Sequence, residues 1–446
     1  MNKTSNHAAV NPAPGATVTA SIVPTIEALP LAADTTAGTL LQRLGKRLFL
    51  ASLGGLTHGE LTIVVPGTGE RLTFGRRTST CDLHATLEVL HPQTFADAAF
   101  GGTVGGGEAY MRGFWRTDDL TALVRIFVAN REAMESIEGP SAFLAGPVRR
   151  TLHWLNRNSH DGSRRNIAAH YDLGNDLFAL FLDETMAYSC GVFEHATSTL
   201  HEAQVAKYDR ICRKLQLGPT DHLLEIGTGW GGLAMHAARQ YGCRVTTTTI
   251  SREQHDWAEA KFRKAGLLQS GQVTLLLQDY RDLQGQFDKI VSVEMVEAVC
   301  ARFLDTYTRQ CSRLLRPHGA MLLQAITIQD QIYEQALRSV DFIQRFIFPG
   351  SFIPSVAAIT DSVRRSTDLK LFHLEDIGPH YATTLRCWRE NFTARLAEVR
   401  QLGYPEAFIR MWEFYLCYCE GGFLERQIGD VQMLLTKPAC RLPVYA

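Results

Sequence analysis

The stretch LLEIGTGWGG, residues 223–232, decides the fold of this 446-residue chain. An apolar run interrupted by Glu225 leads into glycines at three alternate positions, Gly227, Gly229 and Gly231, and a helical pattern follows. Glycine permits a tight turn and lets a ligand approach the backbone at the carboxyl end of a strand. The stretch therefore predicts a strand, a ligand-binding turn and a helix, which together open a parallel α/β sheet.

The sequence after this turn continues to alternate between strand and helix patterns. SREQHDWAEAKFRKAG (251–266) predicts a helix with Ser251 as its N-cap and Gln254 completing a capping box. The further predicted strands are CRVTTTTI (243–250), VTLLLQD (273–279), DKIVSVE (288–294) and GAMLLQAITI (319–328). Alternation at this spacing predicts a parallel sheet with helices on both faces.

Details of the turn favour S-adenosylmethionine (SAM) over a dinucleotide. The dinucleotide pattern is G-x-G-x-x-G, whereas here one residue separates the second and third glycines and Glu225 precedes the turn. The second strand ends in Thr249 and Ile250, with Gln254 shortly after, rather than in the acidic residue that NAD enzymes use. Asp279 ends the third strand as the expected neighbour of an adenine amino group, with a helix cap as the alternative.

Composition narrows the class of protein. Hydrophobic residues make up 45% and charged residues 20%, as in a globular protein. Lys and Arg total 45 against 46 Asp and Glu, so no net field favours nucleic acid. Apolar runs such as MLLQAITI (321–328) are shorter than the ~18 residues that a membrane span needs. The 10 cysteines include no CxxC pair, which indicates reduced cytosolic thiols and predicts neither disulfides nor a metal site.

The pattern divides the chain into four parts. Residues 1–35 read as a disordered tail, and 36–135 as a small α+β domain containing a hairpin, GELTIVVPGTGERLTFG (59–75). Residues 136–165 read as a basic linker, and 166–440 as the catalytic domain. The arginines of the linker are Arg149, Arg150, Arg157, Arg164 and Arg165. Such a segment can lie on an anionic membrane, although a solvated connector is the alternative.

The run IVSVEMVEAVC (290–300) places Glu294 and Glu297 among apolar neighbours. A buried carboxylate costs several kcal/mol unless it is paired. Either both glutamates lie in a solvated first helical turn, which the helix dipole favours, or one is held inward for chemistry. The pattern alone leaves this choice open. The role of Glu294, solvated or near the cosubstrate, is left open.

Several motifs together resemble the cyclopropane-fatty-acyl-phospholipid synthase family, to which the mycolic acid cyclopropane synthases are related. The resemblance covers residues 165–438, with a weaker resemblance over 55–130. The motifs are HYDLGNDLFALFLDETMAYSCGVF (170–193), EIGTGWGG (225–232), the T-I-S-x-x-Q run (249–254), QDYRD (278–282), DFIQRFIFPG (341–350), GPHYATTLRCW (378–388) and RMWEFYLCYCEGGF (410–423).

The resemblance implies a Rossmann-like class I SAM-dependent methyltransferase fold with a smaller N-terminal α+β domain, for which we expect contact with lipid. It implies transfer of a methylene unit to the double bond of an unsaturated phospholipid acyl chain, giving a cyclopropane. Methylene- or methyl-branched products are the first alternative, a soluble acceptor the second, and a non-catalytic lipid-binding protein the third. The resemblance further implies a cytoplasmic protein at the inner face of the membrane, and a homodimer.

The resemblance also assigns residues. For SAM it implies Tyr188, Ser189, Glu225, Gly227, Gly229, Gly231, Thr249, Ile250, Gln254 and Asp279. For a bicarbonate ion acting as general base it implies Cys190, Glu297, Gln324, Ile326 and Tyr381. Two positions depart from the family's commoner pattern, because Ala298 and Gln324 replace histidines. Glutamine can donate a hydrogen bond but cannot take up a proton near neutral pH, so these departures leave the product open.

Overall fold

The computed structural model describes residues 39–131 and 173–442. The predicted tail at 1–35 and the predicted basic linker at 136–165 lie outside the described residues.

Residues 39–131 form a small α+β unit around a four-stranded sheet of order β2-β1-β3-β4. The predicted hairpin is confirmed, since β1 and β2 pair antiparallel with Thr62 opposite Thr73. The strands are β1 (Gly59–Val65), β2 (Glu70–Arg76), β3 (His84–Val89) and β4 (Trp115–Thr117). The helices are α1 (Leu40–Leu53), α2 (Gln93–Met111) and α3 (Leu120–Ala129).

Residues 173–442 are built on a seven-stranded sheet. Its strands are β5 (His222–Ile226), β6 (Arg244–Thr249), β7 (Val273–Leu277), β8 (Phe287–Val293), β9 (Leu315–Ile328), β10 (Lys370–Asp376) and β11 (Ile428–Thr436). The order is β10-β11-β9-β8-β5-β6-β7. The strands from β9 to β7 run parallel, which confirms the Rossmann-like prediction, while β11 is antiparallel to both β9 and β10.

Helices cover both faces of this sheet. Successive strand residues point to opposite faces, so Leu322 packs into one apolar cluster and Leu323 into the other. The helices are α4 (Asn175–Phe181), α5 (Leu200–Leu215), α6 (Gly232–Tyr241), α7 (Arg252–Lys264), α8 (Leu304–Leu314), α9 (Tyr333–Ala336), α10 (Val356–Ser366), α11 (Gly378–Ala394), α12 (Leu396–Gln401) and α13 (Glu406–Leu424). Helices α5, α6 and α7 cover one face, and α8 and α10 the other.

Helix α13 joins the two regions. Its apolar sequence is buried on most sides, against α11 on one side and against α2 and α3 of the N-terminal unit on the other. Polar contacts fix the docking, because Tyr110 donates to Glu413 at 2.8 Å and Arg125 to Glu425 at 2.6 Å. In the described ranges no helix combines the length and the apolarity that crossing a bilayer requires.

Candidate active site

A pocket lies at the carboxyl ends of β5, β6 and β8, where ligands bind in open α/β sheets. It gathers residues from the glycine turn, from the ends of three strands and from the segment after α4. The predicted SAM-binding residues that line it are Tyr188, Ser189, Glu225, Gly227, Gly229, Thr249, Ile250, Gln254 and Asp279. Motifs spread over ninety residues of sequence therefore meet at one sheet edge.

The three glycines of the turn have different tasks. Gly229 has φ +51°, and a side chain there would point into open space. At Gly231, with φ +81°, a Cβ would lie 2.7 Å from the ring of Phe262. Packing of α6 against α7, together with the positive φ, therefore requires glycine at position 231, and its contact with the cosubstrate stays a prediction.

At the polar rim of the pocket, the hydrogen bonds of Gln254 differ from the predicted capping box. Ser251 caps α7 by accepting a hydrogen bond from the Gln254 N–H at 3.3 Å, as predicted. The side-chain oxygen of Gln254 instead accepts from the Thr249 hydroxyl at 2.8 Å, so the capping box is not closed. Asp279 accepts two hydrogen bonds from the Arg281 guanidinium, at 2.9 and 2.6 Å, and also caps the short helical turn that follows. Asp279 therefore both lines the pocket and caps a helical turn.

A buried cation that the sequence analysis missed lies beside the pocket. Lys207 is 1% exposed, and its Nζ donates to the Ser189 hydroxyl at 2.6 Å. Burial lowers the pKa of Lys207 and raises the pKa of Glu225 to about 8. The signal was present in the sequence, because Lys207 stands on the apolar stripe of α5 between Ala203 and Ile211.

Glu294 is half-buried and lies in a bend rather than in a helix, which excludes the solvated helical turn considered for it. It directly follows β8, has φ +46°, and lines the pocket. Its Oε1 accepts from the Cys190 backbone N–H at 2.8 Å and from Gln324 Nε2 at 2.8 Å. Its Oε2 accepts from the Tyr381 hydroxyl at 2.5 Å. Three donors thus converge on one carboxylate.

The carboxylate of Glu297 also lies inside the protein, but it accepts fewer hydrogen bonds than that of Glu294. It lies on a short 3₁₀ turn, and its Oε1 accepts from the Ile326 backbone N–H at 2.6 Å. Its Oε2 has no hydrogen-bond partner among the described residues. Burial and the nearby Glu294 raise the pKa of Glu297 to about 8, so its neutral form prevails at neutral pH.

A chain of hydrogen bonds behind Glu294 connects polar side chains of β9 and β11. Lys214 donates to the Gln432 oxygen at 2.7 Å, and Gln432 Nε2 donates to the Gln324 oxygen at 3.0 Å. Gln324 Nε2 then donates to Glu294 and, at 2.9 Å, to Asp430. The sequence analysis missed Asp430 and Gln432, although both are polar residues inside an otherwise apolar strand.

The predicted bicarbonate site does not fit this geometry. The donors of Cys190, Gln324 and Tyr381 all point to Glu294, and that of Ile326 points to Glu297. An added anion would find these donors engaged and two carboxylates beside it. Burial raises the pKa of the Cys190 thiol well above its ordinary value, and the backbone N–H of Cys190 makes the contact with Glu294.

Comparison with known proteins agrees with this arrangement. The family described as Mycolic acid cyclopropane synthetase matches residues 158–433. The tuberculostearic acid methyltransferase UfaA1 of Mycobacterium tuberculosis is 37% identical, over 81% of this chain and 86% of its own. The cyclopropane-fatty-acyl-phospholipid synthase of Escherichia coli K12 is 37% identical, over 79% of this chain and 88% of its own.

Solved structures are similar too. The cyclopropane synthase MmaA2 from Mycobacterium tuberculosis superposes with a TM-score of 0.57 at 30% identity, covering 61% of this chain and 98% of its own. The mycolic acid cyclopropane synthase CmaA1, complexed with SAH and CTAB, gives 0.58 at 31% identity, covering 63% and 99%. With this fold, this pocket and these relatives, the chain belongs to the mycolic acid cyclopropane synthetase family and is a SAM-dependent methyltransferase.

Proposed function

We propose that this enzyme methylates the double bond of an unsaturated fatty acyl chain in a membrane phospholipid and closes the product to a cyclopropane. One observation carries the proposal: the half-buried Glu294 stands in an aromatic surrounding next to the cosubstrate pocket. The Tyr381 ring stacks on Phe423 with centroids 4.5 Å apart, and the Tyr188 ring lies 5.1 Å from that of Trp388. Such a surrounding suits a cationic intermediate that water must not reach.

The chemistry requires this kind of site. SAM supplies a methyl group on a positively charged sulfur. An alkene is a weak nucleophile, so the protein must hold it in line with that methyl at near-attack distance. The π electrons form the new carbon–carbon bond, and the positive charge passes to the neighbouring chain carbon. Aromatic faces such as those of Tyr188 and Tyr381 stabilise this charge until a base removes a proton.

A methylene-branched product is the second candidate, and the likeness to UfaA1 favours it. That relative is named a tuberculostearic acid methyltransferase and covers as much of this chain as the E. coli cyclopropane synthase does. Both products share the cation and differ in which proton is lost. Loss from the new methyl closes a ring, whereas loss from an adjacent chain carbon leaves a branch.

The test is incubation with methyl-labelled SAM and liposomes of unsaturated phospholipid, followed by gas chromatography and mass spectrometry of the acyl chains. We expect label in the lipid and a ring. A ring and a methylene branch have equal mass, so retention or derivatisation must separate them. Liposomes of fully saturated lipid are the matched control and should take up no label. Label confined to water-soluble products would overturn the lipid acceptor and favour a soluble one.

We propose further that the enzyme binds the cytoplasmic face of the membrane through α1. Its leucines are exposed on one face: Leu40 by 77%, Leu41 by 55%, Leu44 by 44% and Leu48 by 43%. Exposed Arg43 and Arg47 flank this face, while Phe49 and Leu53 bury the opposite one. An apolar face beside basic residues suits insertion into an anionic lipid surface.

Sedimentation with liposomes containing anionic lipid tests the role of α1. The double variant Leu44→Ser and Leu48→Ser should bind several-fold more weakly, because two exposed apolar side chains are lost. Leu402→Ser is the matched control, since Leu402 is 43% exposed at the far end of the chain. Equal binding by the wild type and the double variant would exclude α1. The homodimer implied by the resemblance stays a prediction, which light scattering can check.

A further inference from the structure

We propose that Glu294 is the general base of the reaction, and that the protein's own carboxylate does what the resemblance assigns to bicarbonate. This inference rests on the proposed function. It starts from the disagreement described above: three of the predicted anion holders, Cys190, Gln324 and Tyr381, hold a glutamate side chain.

The orientation of the Gln324 amide is fixed by its hydrogen-bonded neighbours, Lys214 and Gln432. The Lys214 ammonium can only donate, so the oxygen of Gln432 faces it at 2.7 Å. The Gln432 amide group must then donate to the Gln324 oxygen, at 3.0 Å. Both remaining hydrogens of Gln324 consequently point at carboxylates, those of Glu294 and Asp430. The protein is therefore built to hold an anion at position 294.

The negative charge of the cluster belongs on Glu294. Three carboxylates, Glu294, Glu297 and Asp430, are buried together, so they cannot all ionise. Glu294 accepts three hydrogen bonds, whereas Glu297 accepts one from Ile326. Burial and the neighbouring Glu294 and Glu297 raise the pKa of Asp430 well above its ordinary value, which disfavours a second negative charge beside Glu294.

Burial raises the pKa of Glu294, while the hydrogen bonds from Tyr381 and Cys190 and the charge of Lys207 act to lower it. A carboxylate whose pKa is raised is also a better base than an exposed one. Glu294 lines the cosubstrate pocket, whereas Glu297 is absent from the described lining. The position of Glu294 in the pocket and its negative charge both identify it as the general base.

The step balances. The alkene's π pair bonds to the SAM methyl as the sulfur–carbon bond breaks, and the positive charge moves from sulfur to the chain. The Glu294 carboxylate then takes a proton from the new methyl, and the freed C–H pair closes the ring on the cationic carbon. The products at the site are neutral S-adenosylhomocysteine, a neutral acid and a neutral chain, so no charge is left buried. The proton passes to water between turnovers.

The experiment measures lipid labelling in carbon dioxide-free buffer, with and without added bicarbonate, for the wild type, Glu294→Gln and Glu413→Gln. We expect the wild type to work equally in both buffers. Glu294→Gln should lose about 100-fold or more in kcat, with SAM affinity by calorimetry within about threefold. A larger share of its remaining product should be hydroxylated, because an unquenched cation is trapped by water.

Glu413→Gln is the matched control, because Glu413 also accepts from a tyrosine hydroxyl, that of Tyr110 at 2.8 Å, but outside the pocket. It should keep wild-type activity. A wild type that stops without bicarbonate and resumes with it would overturn the inference, whatever the variants do. So would Glu294→Gln with more than a tenth of wild-type kcat. A wild type that binds SAM but labels no lipid would overturn the proposed function itself.

Discussion

The two halves of the seven-stranded sheet hold their functional residues in different ways. Around β5 to β7, most of the predicted SAM-binding residues stand at strand ends or in the turns that follow them. On the other side, β9 and β11 bring Gln324 and Asp430 into contact across 106 positions of sequence. The first half is an array of local turns, whereas the second is a network assembled by strand pairing.

The two arrangements also differ in free energy. A turn at glycine adopts a positive φ at little cost in free energy, so the pocket can be open to solvent and needs few specific hydrogen-bond partners. A buried carboxylate needs every one of its donors, because an isolated buried charge costs several kcal/mol. We therefore expect changes in the network to affect turnover and changes in the pocket to affect SAM binding. The following variants test that division.

The largest of these effects is expected at Tyr381. Tyr381→Phe removes the 2.5 Å hydrogen bond to Glu294, and a hydrogen bond to a charged group contributes about 1.5–3 kcal/mol. We expect kcat to fall about 10- to 100-fold, which is that energy expressed as a rate, with unchanged SAM affinity. Tyr110→Phe, which loses a similar bond to Glu413, is the control. An equal loss of SAM affinity would contradict the expectation that the network affects turnover and the pocket affects SAM binding.

Asp279 tests the pocket half. Asp279→Asn weakens the double contact with Arg281 and the polar wall of the pocket. We expect SAM affinity to fall about 10-fold, near 1.4 kcal/mol, while kcat at saturating SAM stays the same. The exposed Asp282 on the same turn gives the control, Asp282→Asn. Calorimetry and saturation kinetics measure the two quantities, and a fall in kcat alone would contradict the assignment.

A smaller effect is expected at Glu297, and it separates the two glutamates. Because burial raises its pKa to about 8, glutamine replaces a side chain that is mostly neutral at pH 7. An amide oxygen can still accept from the Ile326 N–H. We expect Glu297→Gln to lose less than about 10-fold in kcat, below the range for removing a general base. A loss as large as that of Glu294→Gln would indicate that Glu297 has the catalytic role.

The last effect is on stability rather than on turnover. The pKa of Glu225 is raised by burial to about 8 in the folded enzyme, against about 4.3 unfolded. The folded state therefore holds the proton longer, and stability from this group is complete below about pH 4.3 and is lost as pH rises toward about 8.

For the SAM-free enzyme, the free energy of unfolding should fall by about 1.4 kcal/mol per pH unit per such group. Urea titrations between pH 5 and 8 should show a shallower fall for Glu225→Gln. Glu334→Gln, at a side chain 75% exposed, should keep the wild-type slope. An equal slope in wild type and Glu225→Gln would show that Glu225 is ionised in the folded state.

By itself, the sequence determined the sheet and the glycine turn, because these depend on patterns that are local in the chain, and nine of the ten residues that the resemblance assigns to SAM line the pocket. The tertiary structure decided the rest. It packed Gly231 against Phe262, and it brought Lys207 to the pocket and Asp430 to Gln324. It also singled out Glu294, since whether a buried carboxylate is charged depends on donors supplied by β9 and α11 and by the segment after α4, none of which is adjacent in sequence.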